Sequence, residues 1–246
     1  MPAALIAFLP GLALGSFVNV VADRVPAGRS VVRPRSACEA CGTPISSRDN
    51  IPVLSYVLLR GRCRSCGEPI GLRSPVVELV TAVLVAACAL VYGLTLDAAI
   101  AAFFCCVLVA VSAVDLERFI IPNRIVLPAT AVVLVAQTAL HPSPEWILAG
   151  IGASGFLLVA ALAYPAGMGM GDVKLALLLG VMLGRAVPVA LMIGMIAALV
   201  PAVYLLARHG SAGRKMKIPF GPFLALGGVV TLFAGDAILG AYLEVL

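Results

Sequence analysis

Two aspartates and four cysteines are the residues of this chain whose type and setting could do chemistry. Asp115 closes an apolar run from Ile100 to Val114, and Asp172 lies in Gly169-Met170-Gly171-Asp172-Val173-Lys174-Leu175. An ionised carboxylate near a bilayer core costs at least a few kcal/mol, so acids in such places usually mark a functional site. Two in one bundle can share a proton, which is the chemistry of an aspartic protease and needs neither a metal nor a nucleophilic side chain. Taken singly, each has an ordinary explanation: Asp172 as a helix cap, Asp115 as the partner of Arg118 or Arg124. Taken together, the contexts favour catalysis. Gly169 and Gly171 are expected to shape the site, either by letting a substrate backbone approach closely or as a hinge at a helix start. Lys174 belongs to the same stretch.

The cysteines of interest form Cys38-Glu39-Ala40-Cys41 and Cys63-Arg64-Ser65-Cys66, each followed by a glycine, Gly42 and Gly67. Paired Cys-x-x-Cys knuckles at this spacing predict a tetrathiolate zinc site. Four thiolates leave no open coordination position, so Cys38, Cys41, Cys63 and Cys66 are expected to hold zinc structurally. The metal would supply much of the folding energy of a segment too short for a core of its own. Metal-free or redox thiols are the alternative. Cys88, Cys105 and Cys106 lie in apolar runs and read as small buried hydrophobes.

These residues have to be positioned by membrane helices. Of 246 residues 62% are hydrophobic and 12% charged, and the mean hydropathy is +1.10. A soluble domain is nearer half apolar and a quarter charged. The expected fold is therefore all-α and polytopic, since strands would need alternating ten-residue segments that are absent. At roughly 20 residues per crossing, about eight spans are placed near 3–22, 76–94, 97–115, 124–140, 146–164, 173–185, 186–207 and 221–243. The domains follow: a first span (1–22), a zinc-binding domain (23–75) and a peptidase bundle (76–246). Gly150, Gly152, Ala153 and Gly155 are expected to form a close-packing face of the fifth span. In this topology 16 of the 17 basic residues fall on one side, Arg214 and Lys215 among them, and only Arg185 on the other. That side is expected to be cytoplasmic, where thiols stay reduced and disulfides are disfavoured. Topology accounts for the net charge of +5 without any nucleic acid. Asp115 and Asp172 both fall at cytoplasmic span ends, at one membrane depth.

The motifs resemble those of the type IV prepilin peptidases, the GxGD-type aspartic proteases. The signature pair is Asp115-Leu116-Glu117-Arg118-Phe119-Ile120-Ile121-Pro122-Asn123 and Gly169-Met170-Gly171-Asp172. Gly11-Leu12-Ala13-Leu14-Gly15-Ser16-Phe17-Val18-Asn19 is similar to the family's first span. Asp49-Asn50-Ile51-Pro52-Val53-Leu54-Ser55-Tyr56, Arg60-Gly61-Arg62-Cys63 and Ser74-Pro75-Val76-Val77-Glu78-Leu79 are similar to its cytoplasmic domain. One departure is Asn123, where many relatives carry Asp. The resemblance implies a multi-pass enzyme of the bacterial inner membrane, in pilus assembly or type II secretion. It would remove the leader of prepilins or pseudopilins at the cytoplasmic face. It also implies methylation of the new N-terminus from S-adenosylmethionine. Asn19, Asp23, Asp49 and Glu78 are candidates to line the pocket of that cationic cofactor, although each could instead cap or pair locally, Asp23 with Arg24 and Glu78 with Arg73.

Other readings stay open at this point. A cleavage-only peptidase keeps the dyad without methylation. A proton-coupled transporter would also use intramembrane acids but often shows internal repeats, and none is evident. A membrane scaffold carrying a zinc module is the third.

Overall fold

A computed structural model describes residues 2–164, 168–210 and 216–245. The basic residues Arg214 and Lys215 lie outside the described residues. The long helices are α1 (Pro2–Arg24), α3 (Arg73–Tyr92), α4 (Leu96–Arg118), α5 (Asn123–Leu140), α6 (Glu145–Ala163), α7 (Met170–Leu183), α8 (Val187–His209) and α9 (Gly221–Val245). A short helix, α2 (Leu54–Leu58), and a 3-10 turn (Ser47–Asn50) lie in the loop between α1 and α3. Among the described residues no strand forms, only two isolated bridges in that loop. An all-helical membrane protein is thus what the chain builds, as its composition predicts.

Among the described residues seven helical stretches are long and apolar enough to cross a membrane, and the longest is the 40-residue Met170–His209. A 3-10 turn, Gly184–Ala186, divides that stretch into α7 and α8, where the sequence expected two of about eight separate spans. α7 has 14 residues, or about 21 Å at 1.5 Å per residue, short of a hydrocarbon core of about 30 Å. Glu145 closes the turn by accepting the Arg185 backbone N–H at 2.7 Å. Large apolar side chains such as Leu5, Leu90, Val135, Leu162 and Val200 stay more than half exposed, a surface suited to lipid rather than water.

The chain forms two compact units, Met1–Ala110 and Val111–Leu246. In the first, α1 lies along α3 in an antiparallel seam whose contacts recur every fourth residue. A Cβ on Gly11 would lie 2.8 Å from Ala82 Cα, and one on Gly15 2.6 Å from Glu78 Cα. Only glycine lets the two backbones come this close, as small residues do between membrane helices. One turn further Asn19 meets Ser74, and beyond it Asp23 meets Arg73.

In the second unit α6 packs on α7 in the same way, with Gly180 against Ala149 and Gly150. Gly150 and Ala153 are buried, but Gly152 and Gly155 have nothing within 4 Å of a would-be Cβ. The expected four-residue face is therefore a two-residue one. Residues three apart share a side of a helix, and those at the intervening positions face away. Gln137 of α5 reaches across to the Met182 carbonyl of α7 at 3.1 Å, satisfying a buried amide.

Candidate active site and metal centre

Asp115 occupies the last turn of α4, and Asp172 the first turn of α7. Both are buried, with 5% and 8% of their surface exposed. Each carboxylate is gripped through one oxygen by one backbone amide. Asp115 Oδ2 accepts the N–H of Gly221, the first residue of α9, at 2.8 Å. Asp172 Oδ2 accepts the N–H of Gly169, just before α7, at 3.1 Å. Asp172 returns its own N–H to the Gly169 carbonyl at 3.1 Å; the N-cap of α7 is Gly169 and Asp172 is its third residue, so Asp172 braces the helix start from inside and is not the N-cap that one reading of the sequence expected. A buried charge is tolerable only with such partners. The other oxygen of each carboxylate is left for a water or a substrate.

The segment after Asp115 completes the site. Phe119 closes α4 by donating its N–H to the Asp115 carbonyl at 2.9 Å, with φ at +55°. A bulky residue in the left-handed region is a strained one, and such strain clusters at functional sites. It turns the chain so that Ile121 runs beside the start of α7. A Cβ on Gly171 would lie 2.7 Å from Ile121 Cβ, so the protein's own chain takes the room that this glycine leaves. A Cβ on Gly169 would lie 3.3 Å from Asp172 Oδ2, which keeps the carboxylate's fold-back onto the backbone unobstructed. Lys174 donates to Asn123 Oδ1 at 2.9 Å, tying α7 to the first residue of α5. Gly221 went unremarked in the sequence. Its signal is Pro219-Phe220-Gly221-Pro222, a glycine between prolines at the head of an apolar run.

The four knuckle cysteines converge. Their sulfurs all lie within 4.8 Å of one another, and Cys38 Sγ and Cys66 Sγ are 3.8 Å apart. A tetrahedral zinc with Zn–S of about 2.3 Å puts sulfurs about 3.8 Å apart, so the donor set fits that ion. The knuckles share one backbone pattern: Gly42 N–H bonds the Cys38 carbonyl and Gly67 N–H the Cys63 carbonyl, both at 2.9 Å. Gly42 and Gly67 have φ of +69° and +74°, the left-handed geometry that glycine serves. Arg64, inside the second knuckle, grips Asp49 with Nη2 to Oδ1 at 2.6 Å. The bound guanidinium holds the Asp49 carboxyl below the usual carboxylate range.

The other candidates line the α1–α3 seam or approach it. Glu78, 8% exposed, accepts the Val53 backbone N–H at 2.8 Å. It pairs there rather than with Arg73. Asn19 donates to the Ser74 carbonyl at 3.1 Å. Asp23 pairs with Arg73 at 2.5 Å, not with its neighbour Arg24, which donates to the Ser30 carbonyl. Asn19, Asp23 and Glu78 thus share one seam, and Asp49 lies four residues from the Val53 that Glu78 holds.

Two family models match the chain. Residues 9–92 match the family model described as Bacterial Peptidase A24 N-terminal domain, and residues 102–203 the one described as Type IV leader peptidase family. The chain is 34% identical over 244 residues to a prepilin leader peptidase/N-methyltransferase of Bacillus subtilis, covering 97% of both chains. It is 36% identical over 266 residues to the Burkholderia pseudomallei protein of that name, covering 93% of this chain and 84% of the relative. With the Pseudomonas aeruginosa one it shares 34% over 268 residues, covering 96% and 92%. No solved structure matches the chain.

Proposed function

Since the chain belongs to the type IV leader peptidase family, we propose that Asp115 and Asp172 are the aspartyl dyad with which it removes prepilin leaders. The protein is a multi-pass membrane enzyme, a prepilin leader peptidase and N-methyltransferase. The observation that carries the dyad is the matched pair of buried carboxylates, each held through Oδ2 by one glycine N–H. The ionised carboxylate takes a proton from water while the other gives its proton to the scissile carbonyl oxygen, so attack of the hydroxide yields a neutral tetrahedral diol. As the diol collapses, the first carboxyl protonates the leaving amine and the second takes back the proton of a diol hydroxyl, so the dyad again holds one proton. Gly169, Gly171 and Lys174 shape this site. The positive-inside distribution supports placing it, with the zinc domain, at the cytoplasmic face of the bacterial inner membrane.

Zinc fits the four thiolates and would fasten the two knuckles together; no step of cleavage passes through it. For the second activity, the methyl donor S-adenosylmethionine carries a sulfonium cation, which an acidic lining suits. A buried carboxylate and a buried amide in the α1–α3 seam fit that need. Glu78 and Asn19, with Asp23 and Asp49, are the residues proposed to hold it. Bound there, S-adenosylmethionine supplies the methyl group for the amine that cleavage exposes. Glu78 and Asp23 would set the charge around the cofactor, and Asn19 would orient it.

The direct test incubates purified protein with a prepilin peptide and labelled S-adenosylmethionine and weighs the product. Loss of the leader mass plus one labelled methyl is the expected result. Leader loss without label would leave a cleavage-only peptidase, and an intact peptide would defeat the proposal.

A further inference from the structure

The side chain of Ile121 extends between two helix starts that each serve one aspartate. At one end, Ile121 Cβ would lie only 2.7 Å from a Cβ on Gly171, the residue next to Asp172. At the other, Ile121 Cδ1 would lie 3.3 Å from a Cβ on Gly221, the residue whose N–H holds Asp115. A side chain at either glycine would therefore run into the same isoleucine. The strained turn at Phe119 fixes where that isoleucine lies, because Phe119 is anchored to the Asp115 carbonyl. Ile121 is half-buried, and a side chain filling the gap between two close backbones limits how near they can come.

We propose that Ile121 is a positioning residue that sets the spacing of the dyad, with Gly171 and Gly221 as the notches that receive its two ends. The inference rests on Asp115 and Asp172 being the catalytic pair. Its parts act together. Gly171 brings the start of α7 against Ile121 Cβ, and Gly221 brings the start of α9 against Cδ1. Asp172 rides on the first of these helices, while the second carries the amide that aims Asp115. Shortening Ile121 removes the Cδ1 stop at the start of α9 and lets it drift relative to α7, while leaving both carboxylates and both amides in the molecule. A misplacement of about 1 Å in a catalytic geometry costs about 10²-fold in rate.

The test is a length series at this position, assayed by cleavage of a prepilin peptide with the full-length protein. Ile121→Met still reaches across the gap and should keep the rate within about threefold. Ile121→Val keeps Cβ and Cγ1 at Gly171 but loses the Cδ1 atom at Gly221, and should lower kcat about tenfold. Ile121→Ala keeps only Cβ, loses Cγ1 as well, and should lower it about 10²-fold. In all three, KM and methylation of a pre-cleaved peptide should stay near wild type, which a general loss of folding would not allow. Wild-type cleavage by Ile121→Ala overturns the proposal, and so does a loss that appears in KM or equally in methylation. If the alanine variant does not fold, the Val and Met pair decides: equal rates for the two sink the spacer. The dyad is tested separately in the same assay, where cleavage by Asp115→Ala or Asp172→Ala would remove the premise itself.

Discussion

Gly221 donates its backbone N–H to Asp115 Oδ2 at 2.8 Å, and a Cβ at position 221 would begin 2.8 Å from that same oxygen. One residue therefore both orients the carboxylate and stays out of its way. Gly221→Ala must push the oxygen or the amide aside, and a shift of about 1 Å there should lower cleavage about 10²-fold. Single-turnover cleavage of a prepilin peptide measures this, with a thermal melt to show that the fold persists. A folded variant retaining half the wild-type rate would mean that the contact does not aim Asp115.

Removing either carboxylate should be more severe. Asp115→Ala and Asp172→Ala should bring cleavage below detection. Asp115→Asn and Asp172→Asn should do nearly the same, because an amide keeps the shape but can neither take the proton from water nor pass it on. Asp172 also braces the start of α7 through the Gly169 N–H, so Asp172→Asn, which retains an acceptor, is the cleaner variant. Substantial cleavage by either purified Ala variant would end the aspartyl-protease account.

The acids and the thiols were legible in the sequence because each stood against its background. A carboxylate in an apolar run and a repeated Cys-x-x-Cys both violate what surrounds them. The helices were legible for the same reason, through uninterrupted apolar length. Which partner each acid takes was not, because partners come from remote segments: Gly221 lies 106 residues from Asp115. Ile121 looked like one more apolar residue, and its position between two glycines exists only after folding. Gly171 suggested room for a substrate, whereas the room is taken by Ile121. The expected neighbour pairs failed similarly, since Asp23 found Arg73 fifty residues away instead of the adjacent arginine.

Lys174 reaches Asn123 at 2.9 Å across an exposed contact. Asn123→Asp would turn this hydrogen bond into an ion pair, and exposed pairs contribute about 0–1 kcal/mol. Stability should rise by no more than that, and cleavage should stay within about threefold, because neither carboxylate of the dyad loses a partner. A large rate change would show that the charge at position 123 is felt by the dyad and that Lys174 does more than tie α7 to α5.

Purified protein should contain one zinc per chain, bound by Cys38, Cys41, Cys63 and Cys66 with Zn–S of about 2.3 Å. Elemental analysis and X-ray absorption at the zinc edge check the count and the distance. Cys38→Ser should loosen the loop between α1 and α3 and lower its protease resistance. Its effect on cleavage should be indirect and smaller than that of Asp115→Ala. Metal-free protein with all four thiols freely alkylated would overturn the zinc assignment. Acidification should release the metal, because the ligands must be thiolates.

The two activities should separate by residue. The dyad belongs to the unit Val111–Leu246, whereas Asn19, Asp23, Asp49 and Glu78 all belong to Met1–Ala110. Asp172→Ala, shown to be folded, should still methylate a pre-cleaved pilin peptide. The reciprocal variant has to respect what Glu78 already does. Its carboxylate holds the Val53 N–H, and Val53 sits at φ of +57°, so truncation to alanine would disturb the loop as well as remove a charge. Glu78→Gln keeps an acceptor for that N–H and removes only the charge facing a sulfonium. Loss of that charge is expected to weaken cofactor binding about tenfold, or about 1.4 kcal/mol. Methylation at limiting S-adenosylmethionine should therefore fall about tenfold, recover at saturating cofactor, and leave cleavage within about twofold. Failure of folded Asp172→Ala to methylate pre-cleaved peptide would make the two-site account wrong and point to one shared site. Unchanged methylation by Glu78→Gln would remove Glu78 from the cofactor pocket and leave it the role of pinning Val53.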